Sequence, residues 1–169
     1  MAVTLVVETG AGVATANSYA TLIEAETYHE MRLHVENWTA ATDPNKEIAL
    51  MWATRQLDDM IMWVGTRVSE TQALRWPREG VVDPDGNEVA DDAIPKFLRE
   101  ATCEFARLLI ESDREADSDT QGFKEIRAGS LKLVVDKHDR AETMPSAVWS
   151  MLMSYGELKR FGARLLDRV

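Results

Sequence analysis

Cysteine occurs once in the 169 residues, at Cys103, which excludes an internal disulfide framework and any multi-cysteine zinc site. A reducing, intracellular setting is the expectation for such a chain. Histidine is nearly as scarce. His29 and His34 stand five apart, where two ligands on one helical face need a spacing of three or four, and His138 lies far from both. No apolar run approaches the ~20 residues of a membrane span, and Met1 to Val7 lacks the basic leader of a secretory signal. Gly10 and Gly12 are not followed by the lysine of a phosphate loop, and no nucleophile elbow occurs. The adjacent acids Asp58-Asp59 and Asp91-Asp92 would point about 100° apart on a helix and read as solvated faces or caps. Asp83 to Asn87 resembles a calcium loop for five residues but lacks the later bidentate glutamate. No catalytic residue, metal or cofactor is therefore expected, and the chain reads as a non-enzyme.

Positive charge is the other shortage. Nineteen Lys and Arg face 29 Asp and Glu, a net charge of −10. The deficit is uneven: residues 1–136 carry 13 basic and 25 acidic groups, whereas residues 137–169 carry six and four. Binding to nucleic acid gains affinity from Lys and Arg contacts that release counterions, so an acidic body disfavours it and leaves the C-terminal segment as the candidate.

What is present is the composition of a globular chain, with 45% hydrophobic residues and no repeat or low-complexity tract. A mass of 19.0 kDa predicts a single domain over residues 1–169. The pattern is mainly α. Thr21 and Glu24 form a capping box that should start a helix running through Leu22, Ala25, Tyr28 or His29, and Arg32 or Leu33. Asp43 and Pro44 should open a second, with an apolar stripe to Val64 and Gly65 as a left-handed cap. Residues 66–92 read as irregular, with Trp76-Pro77 pushed out of the α region and a turn at Asp83 to Asn87 flanked by a short hairpin. Pro95 should sit in the first turn of a third helix carrying the clearest stripe: Ile94, Leu98, Ala101, Phe105, Leu108 and Leu109. Alternation around Gly129-Ser130 predicts a β-hairpin within 120–138, which is marginal in water unless it finds a partner. Pro145 should open a last helix that Gly156 interrupts, with Leu158, Phe161 and Leu165 continuing an apolar stripe among Lys159, Arg160, Arg164 and Arg168.

Five tryptophans and eight methionines are generous for this length. Trp52 and Trp63 read as core. Trp76, between Arg75 and Pro77-Arg78, has two readings: an aromatic and arginine cluster of the kind found at protein interfaces, or a lid folded back on the helical core.

Three segments carry a resemblance. Ala16-Asn17-Ser18-Tyr19 with Glu24-Ala25 and Tyr28, the stretch Gln72 to Val81 with the Asp-Gly turn and Ile94-Pro95 after it, and the helix, hairpin and Pro145 helix that follow resemble the bacteriophage head-tail adaptor (connector) family over nearly the whole chain. Relatives also carry a single-stranded-DNA-binding label. The resemblance implies an antiparallel bundle of four to five helices with a protruding β-hairpin and an extended C-terminal tail. It implies a homo-oligomeric ring, a dodecamer in most members, at the neck of a virion made in the bacterial cytoplasm. The ring would join the portal protein to tail or nozzle proteins and keep the DNA channel continuous, without membrane contact or specific grip on the genome.

On that basis the assembly surfaces are expected at Arg75, Trp76 and Arg78, at Leu131 and Leu133 of the hairpin, and at Trp149, Phe161 and Leu165 of a C-terminal docking helix or tail over 145–169. The rival expectation is a single-stranded-DNA-binding module using the basic C-terminal segment with Trp149 or Phe161; a weaker one is a small helical enzyme or regulator with an unrecognised site.

Overall fold

The computed structural model describes residues 4–115, 125–128, 131–134 and 143–159. Helix α1 (Leu22–Glu30) begins at the capping box: Thr21 Oγ1 accepts from the Glu24 N–H at 3.1 Å, and the Glu24 carboxylate accepts from the Thr21 N–H at 2.8 Å. It ends earlier than its stripe suggests, leaving Leu33 on the surface. A short helix, α2 (Glu36–Ala40), follows and buries Trp38. Helix α3 (Asp43–Met60) carries Pro44 in its first turn, where a missing N–H costs nothing, with Thr42 rather than Asp43 at the cap.

The chain then changes period. Ile61 to Val64, apolar and partly β-branched, leaves the helix as strand β1 (Ile61–Trp63) with the alternation buried, exposed, buried. Gly65, at φ +75°, turns it into β2 (Thr66–Arg67), which pairs antiparallel with β3 (Arg78–Glu79). A Cβ at Gly65 would lie 2.3 Å from the Glu79 carbonyl oxygen, so only glycine allows this approach. The turn at Asp83 to Asn87 forms as expected, closed by a Val82–Glu88 bridge, with the Asp83 carboxylate accepting from the Asp85 and Asn87 N–H groups at 2.9 and 2.8 Å.

Helix α4 (Lys96–Glu111) starts directly after Pro95 and buries Leu98, Ala101, Phe105 and Leu109. It is the hub of the domain, packed by α1, α2, α3 and α5 (Ser146–Leu152). Each of its fully buried Leu and Phe side chains contributes about 2 kcal/mol through removal of apolar area from water. The hairpin predicted around Gly129-Ser130 is β4 (Glu125–Ala128) and β5 (Leu131–Val134), in register Ile126 with Leu133 and Ala128 with Leu131.

The architecture is not the expected helical bundle. Two of the five helices span only five and seven residues, and three two-stranded antiparallel sheets complete a mixed α/β domain. The principal departure lies after α5. Residues 156–158 do not continue a C-terminal helix but form β6 (Gly156–Leu158), which pairs with β1 so that Leu158 lies opposite Ile61 and Gly156 opposite Trp63. Lys159 extends this seam, donating its N–H to the Met60 carbonyl at 2.7 Å and its ammonium to the Asp58 carbonyl at 3.2 Å. These are the carbonyls that the end of α3 leaves without a helical partner, and a cation there also suits the helix dipole. The competing helix offered no such long-range pairing. Phe161 and Leu165 lie outside the described residues.

Candidate functional site

The segment Gln72 to Glu79, expected to present an interface, is built into the interior. Gln72, Leu74, Trp76 and Arg78 are buried while Ala73, Arg75 and Glu79 are exposed. Trp76 has 0% exposure. Its ring sits edge-on to Trp63 and to Phe97 with centroids 5.8 Å away in each case, and Phe97 stacks flat on Tyr155 at 3.7 Å. The tryptophan is therefore the core of a four-ring aromatic row, not a surface anchor. Of its two sequence readings, the lid is what the fold realises, because Trp63, Phe97 and Tyr155 arrive from three distant stretches to enclose it.

Arg78 is equally committed. Its Nε donates to the Val64 carbonyl at 2.7 Å, Nη1 to the Arg75 carbonyl at 3.0 Å, and Nη2 to the Trp63 and Gly65 carbonyls. The guanidinium fork thus ties the β1–β2 turn to the 75–78 stretch, and burial lowers its pKa from the ordinary arginine value. Of the expected trio, only Arg75 reaches solvent.

Beneath this segment lies a buried polar junction that sequence reasoning missed. Tyr19 donates its hydroxyl to Asp58 Oδ1 at 2.6 Å, and the Tyr19 hydroxyl oxygen accepts from the Arg75 and Trp76 N–H groups at 3.1 and 3.2 Å. Asp58 Oδ2 accepts from the Arg75 N–H at 2.9 Å. Burial pushes the Asp58 carboxyl up to about 6, although these donors oppose the shift, and pushes the Tyr19 phenol well above its usual value. Asp58 is thus a core residue of α3, not half of a solvated acidic pair.

Of the described histidines and the single cysteine, His29 and Cys103 are buried and His34 is exposed. His29 is buried, its Nε2 3.2 Å from the Cys103 carbonyl and its ring 4.4 Å from that of Trp38. Desolvation lowers its pKa to about 4, and burial raises the Cys103 thiol to about 12. No cluster of three or more metal-ligating side chains occurs among the described residues.

Most cations of the body are already engaged, with Arg67 and Arg75 exposed. Residues 4–115 carry ten Lys and Arg against 21 Asp and Glu. Arg32 and Arg107 both hold Glu104, at 2.6 and 2.8 Å; Lys46 holds Glu26 at 2.7 Å; Arg99 holds Glu24 at 2.8 Å. Arg55 and Lys96 make looser pairs with Asp59 and Glu100 at 3.6 and 3.5 Å. Glu104, clamped by two guanidinium groups, is held at about 2 despite its burial. With Arg78 turned inward, the exposed arginines without an ion pair among those of this body are Arg67 and Arg75. No described aromatic side chain stands fully exposed, Trp149 on α5 being half-buried against the core.

The surface does present apolar side chains. Ile23 in the first turn of α1 and Met31 and Leu33 just past its end are exposed, at 78%, 79% and 78%. Beside them a shallow cleft of about 310 Å³ is lined by Tyr28, Met31, Arg32, Glu100, Glu104, Ala147 and Met151. His34 in the adjoining turn has φ +61°, uncommon outside glycine and asparagine. Leu131 and Leu133 lie on β5, opposite Ala128 and Ile126; their side chains lie outside the described ones. Nothing in composition or spacing marked these exposed positions, because Leu33 fitted the continuation of a buried stripe and Met31 lay outside it.

Residues 3–165 match the family described as "Putative DnaT-like ssDNA binding protein". The chain belongs to that family. The match covers the whole described domain and does not extend to the head-tail adaptor family that the sequence resembles. No curated protein and no solved structure matches the chain.

Proposed function

We propose that this family member is a non-catalytic assembly protein, a head-tail adaptor that works by docking to further copies of itself and to neighbouring virion proteins. The observation that carries the reading is the state of the body's cations: six of the ten are ion-paired and Arg78 is buried on main-chain carbonyls, in a body with net charge −11. Such a surface repels phosphate, which suits a wall past which DNA slides. The exposed apolar side chains at the two ends of α1 are surfaces that association would cover. The portal and tail are proposed as neighbours on the sequence resemblance of Ala16 to Tyr28 and Gln72 to Pro95 to the head-tail adaptor family; the family match does not bear on them. Mass measurement of the purified chain, alone and with a portal complex, tests it: many copies joining the portal is the expected outcome, and a chain indifferent to portal and to itself would end the reading.

The family description favours a second reading, single-stranded-DNA binding. It rests on the C-terminal segment, where Lys159, Arg160, Arg164 and Arg168 gather. Four cations limit the salt dependence: the slope of log K against log salt should be no steeper than about −3, at about −0.7 per neutralised phosphate on a single strand. A filter-binding titration decides it. Affinity that survives ~0.2 M salt and disappears when residues 160–169 are deleted favours this reading; a steeper slope would show that cations of the body take part.

A further inference from the structure

We infer that Arg67, Arg75 and Lys159 form one phosphate-contacting patch that guides a single DNA strand along the body to the basic C-terminal segment; this rests on the single-stranded-DNA reading above. Arg67 and Arg75 are exposed and hold no carboxylate, and Lys159 gives its ammonium to a main-chain carbonyl rather than to an acid. Hydrogen bonds tie the three to one framework. Asp58 joins two of them: its carboxylate accepts from the Arg75 N–H at 2.9 Å, and its main-chain carbonyl accepts from the Lys159 ammonium at 3.2 Å. Arg78 joins the third. It donates Nη1 to the Arg75 carbonyl at 3.0 Å, and its Cα stands opposite that of Arg67 in the β2–β3 ladder. Besides burial, the like charges of Arg75 and Arg67 both lower the Arg78 pKa, as neighbouring guanidinium groups must. With its N–H and its carbonyl both bound, Arg75 leaves only a side chain for an anion to order.

Charge picks out the same place. Residues 64–80 carry three arginines against Glu70 and Glu79, whereas the rest of residues 4–115 carries seven cations against 19 acids. Lys159 is also where the sequence passes into Arg160, Arg164 and Arg168. A small cationic patch on an acidic body suits a single strand better than a duplex. Duplex DNA is stiff over about 50 nm and carries a charge every ~1.7 Å, so it would press phosphates against the surrounding acids. A single strand can touch the arginines and bend away.

The test measures binding of the full chain to an oligothymidylate across a salt series. With Arg67 and Arg75 added to the four C-terminal cations, the slope of log K against log salt should be about −4, at about −0.7 per neutralised phosphate. The double variant Arg67→Gln, Arg75→Gln should return the slope to about −3 and weaken binding at least about tenfold at ~0.1 M salt. Both side chains are exposed, so its urea midpoint should match that of wild type. Arg67→Lys with Arg75→Lys keeps the charge and should keep the slope. Arg55→Gln with Lys96→Gln removes two exposed cations elsewhere and should leave the slope unchanged. A wild-type slope near −3 that the first glutamine pair does not alter, or an equal loss from the Arg55 and Lys96 pair, overturns this patch and leaves the single-strand reading standing. No binding at ~0.05 M salt, or tighter binding to a duplex of equal length, overturns both.

Discussion

Replacing Tyr19 by phenylalanine isolates the buried junction under the 72–79 segment. The ring keeps its place in the core, and only the hydroxyl is lost. That oxygen donates to Asp58 at 2.6 Å and accepts from the Arg75 and Trp76 N–H groups. A hydrogen bond to a charged group contributes about 1.5–3 kcal/mol, and an orphaned buried N–H costs about 1–3 kcal/mol. Arg75 retains Asp58 as acceptor at 2.9 Å, so one N–H, that of Trp76, loses its partner. Together these give a loss of about 3 kcal/mol at pH 7, read as a lower urea midpoint with unchanged slope. A loss under about 1 kcal/mol would refute the assignment of this junction as the tie between α3 and the loop.

The same site makes a pH claim of opposite sign to the usual carboxylate. Asp58 ionises near 6 in the folded chain and near 3.8 unfolded, so between those values the native state holds a proton that the unfolded chain has released. Its contribution is fully present below pH 3.8 and lost as pH rises to 6, about 3 kcal/mol in all at 1.36 kcal/mol per pH unit. His29 runs the other way: its folded value of about 4 means stability is lost as pH falls from 6.5 to 4. The two nearly cancel in the whole protein, and the difference between wild type and Asp58→Asn is the quantity to measure. Tyr19→Phe should also raise the Asp58 titration midpoint above 6, since the phenol's hydrogen bond lowers it; a carboxyl carbon resonance titrating at lower pH than in wild type would sink the account.

Glu104→Gln should cost about 2 kcal/mol at pH 7 by leaving Arg32 and Arg107 without their shared carboxylate, a figure discounted because Arg32 is one-third exposed; with Glu104 at about 2 folded, the wild type's advantage is present above 4.5, disappears as pH falls to 2, and acid titration of both proteins reads it. Cys103, with its thiol raised to about 12, should resist a thiol reagent at pH 8 until urea unfolds the chain, whereas rapid labelling of the native protein would contradict its burial. Gly65→Ala and Gly86→Ala share a positive φ but differ in space: the first places a Cβ 2.3 Å from the Glu79 carbonyl and should cost well over 2 kcal/mol, the second meets nothing within 4 Å and should cost about 1 kcal/mol. Equal thermal midpoints for the pair would mean that the β1–β2 turn is not as tight as described.

What could be read in advance was local. The Thr21–Glu24 box, the proline-led starts of α3 and α4, the Asp83 turn and the Gly129 hairpin each depend on residues within a few positions of one another. The β1–β6 ladder was hidden because it joins two three-residue strands nearly a hundred positions apart, and neither segment is long enough to show a period of two. Residues 61–64 fit a helical stripe and a strand equally well; the choice fell to the partner strand and to Lys159. Trp76 and Asp58 were illegible for a related reason. Whether a loop tryptophan faces outward, or an acid on α3 faces the core, depends on Trp63, Phe97 and Tyr19, which no spacing rule connects to them.

The burial of Arg78 and Trp76 also changes where recognition can reside. An arginine and a tryptophan in one loop would serve equally well to stack a base, neutralise a phosphate or anchor a protein. Once the guanidinium is spent on four main-chain carbonyls and the indole is enclosed by two other rings, the pair does none of these directly. Its part is to fix the β1–β2 turn against α3 and α4, which holds β6 in place through β1 and so sets where the basic segment after Lys159 leaves the body. Among the described residues that leaves Ile23, Met31 and Leu33, at the ends of α1, as the large apolar side chains most open to solvent and not spent on the core.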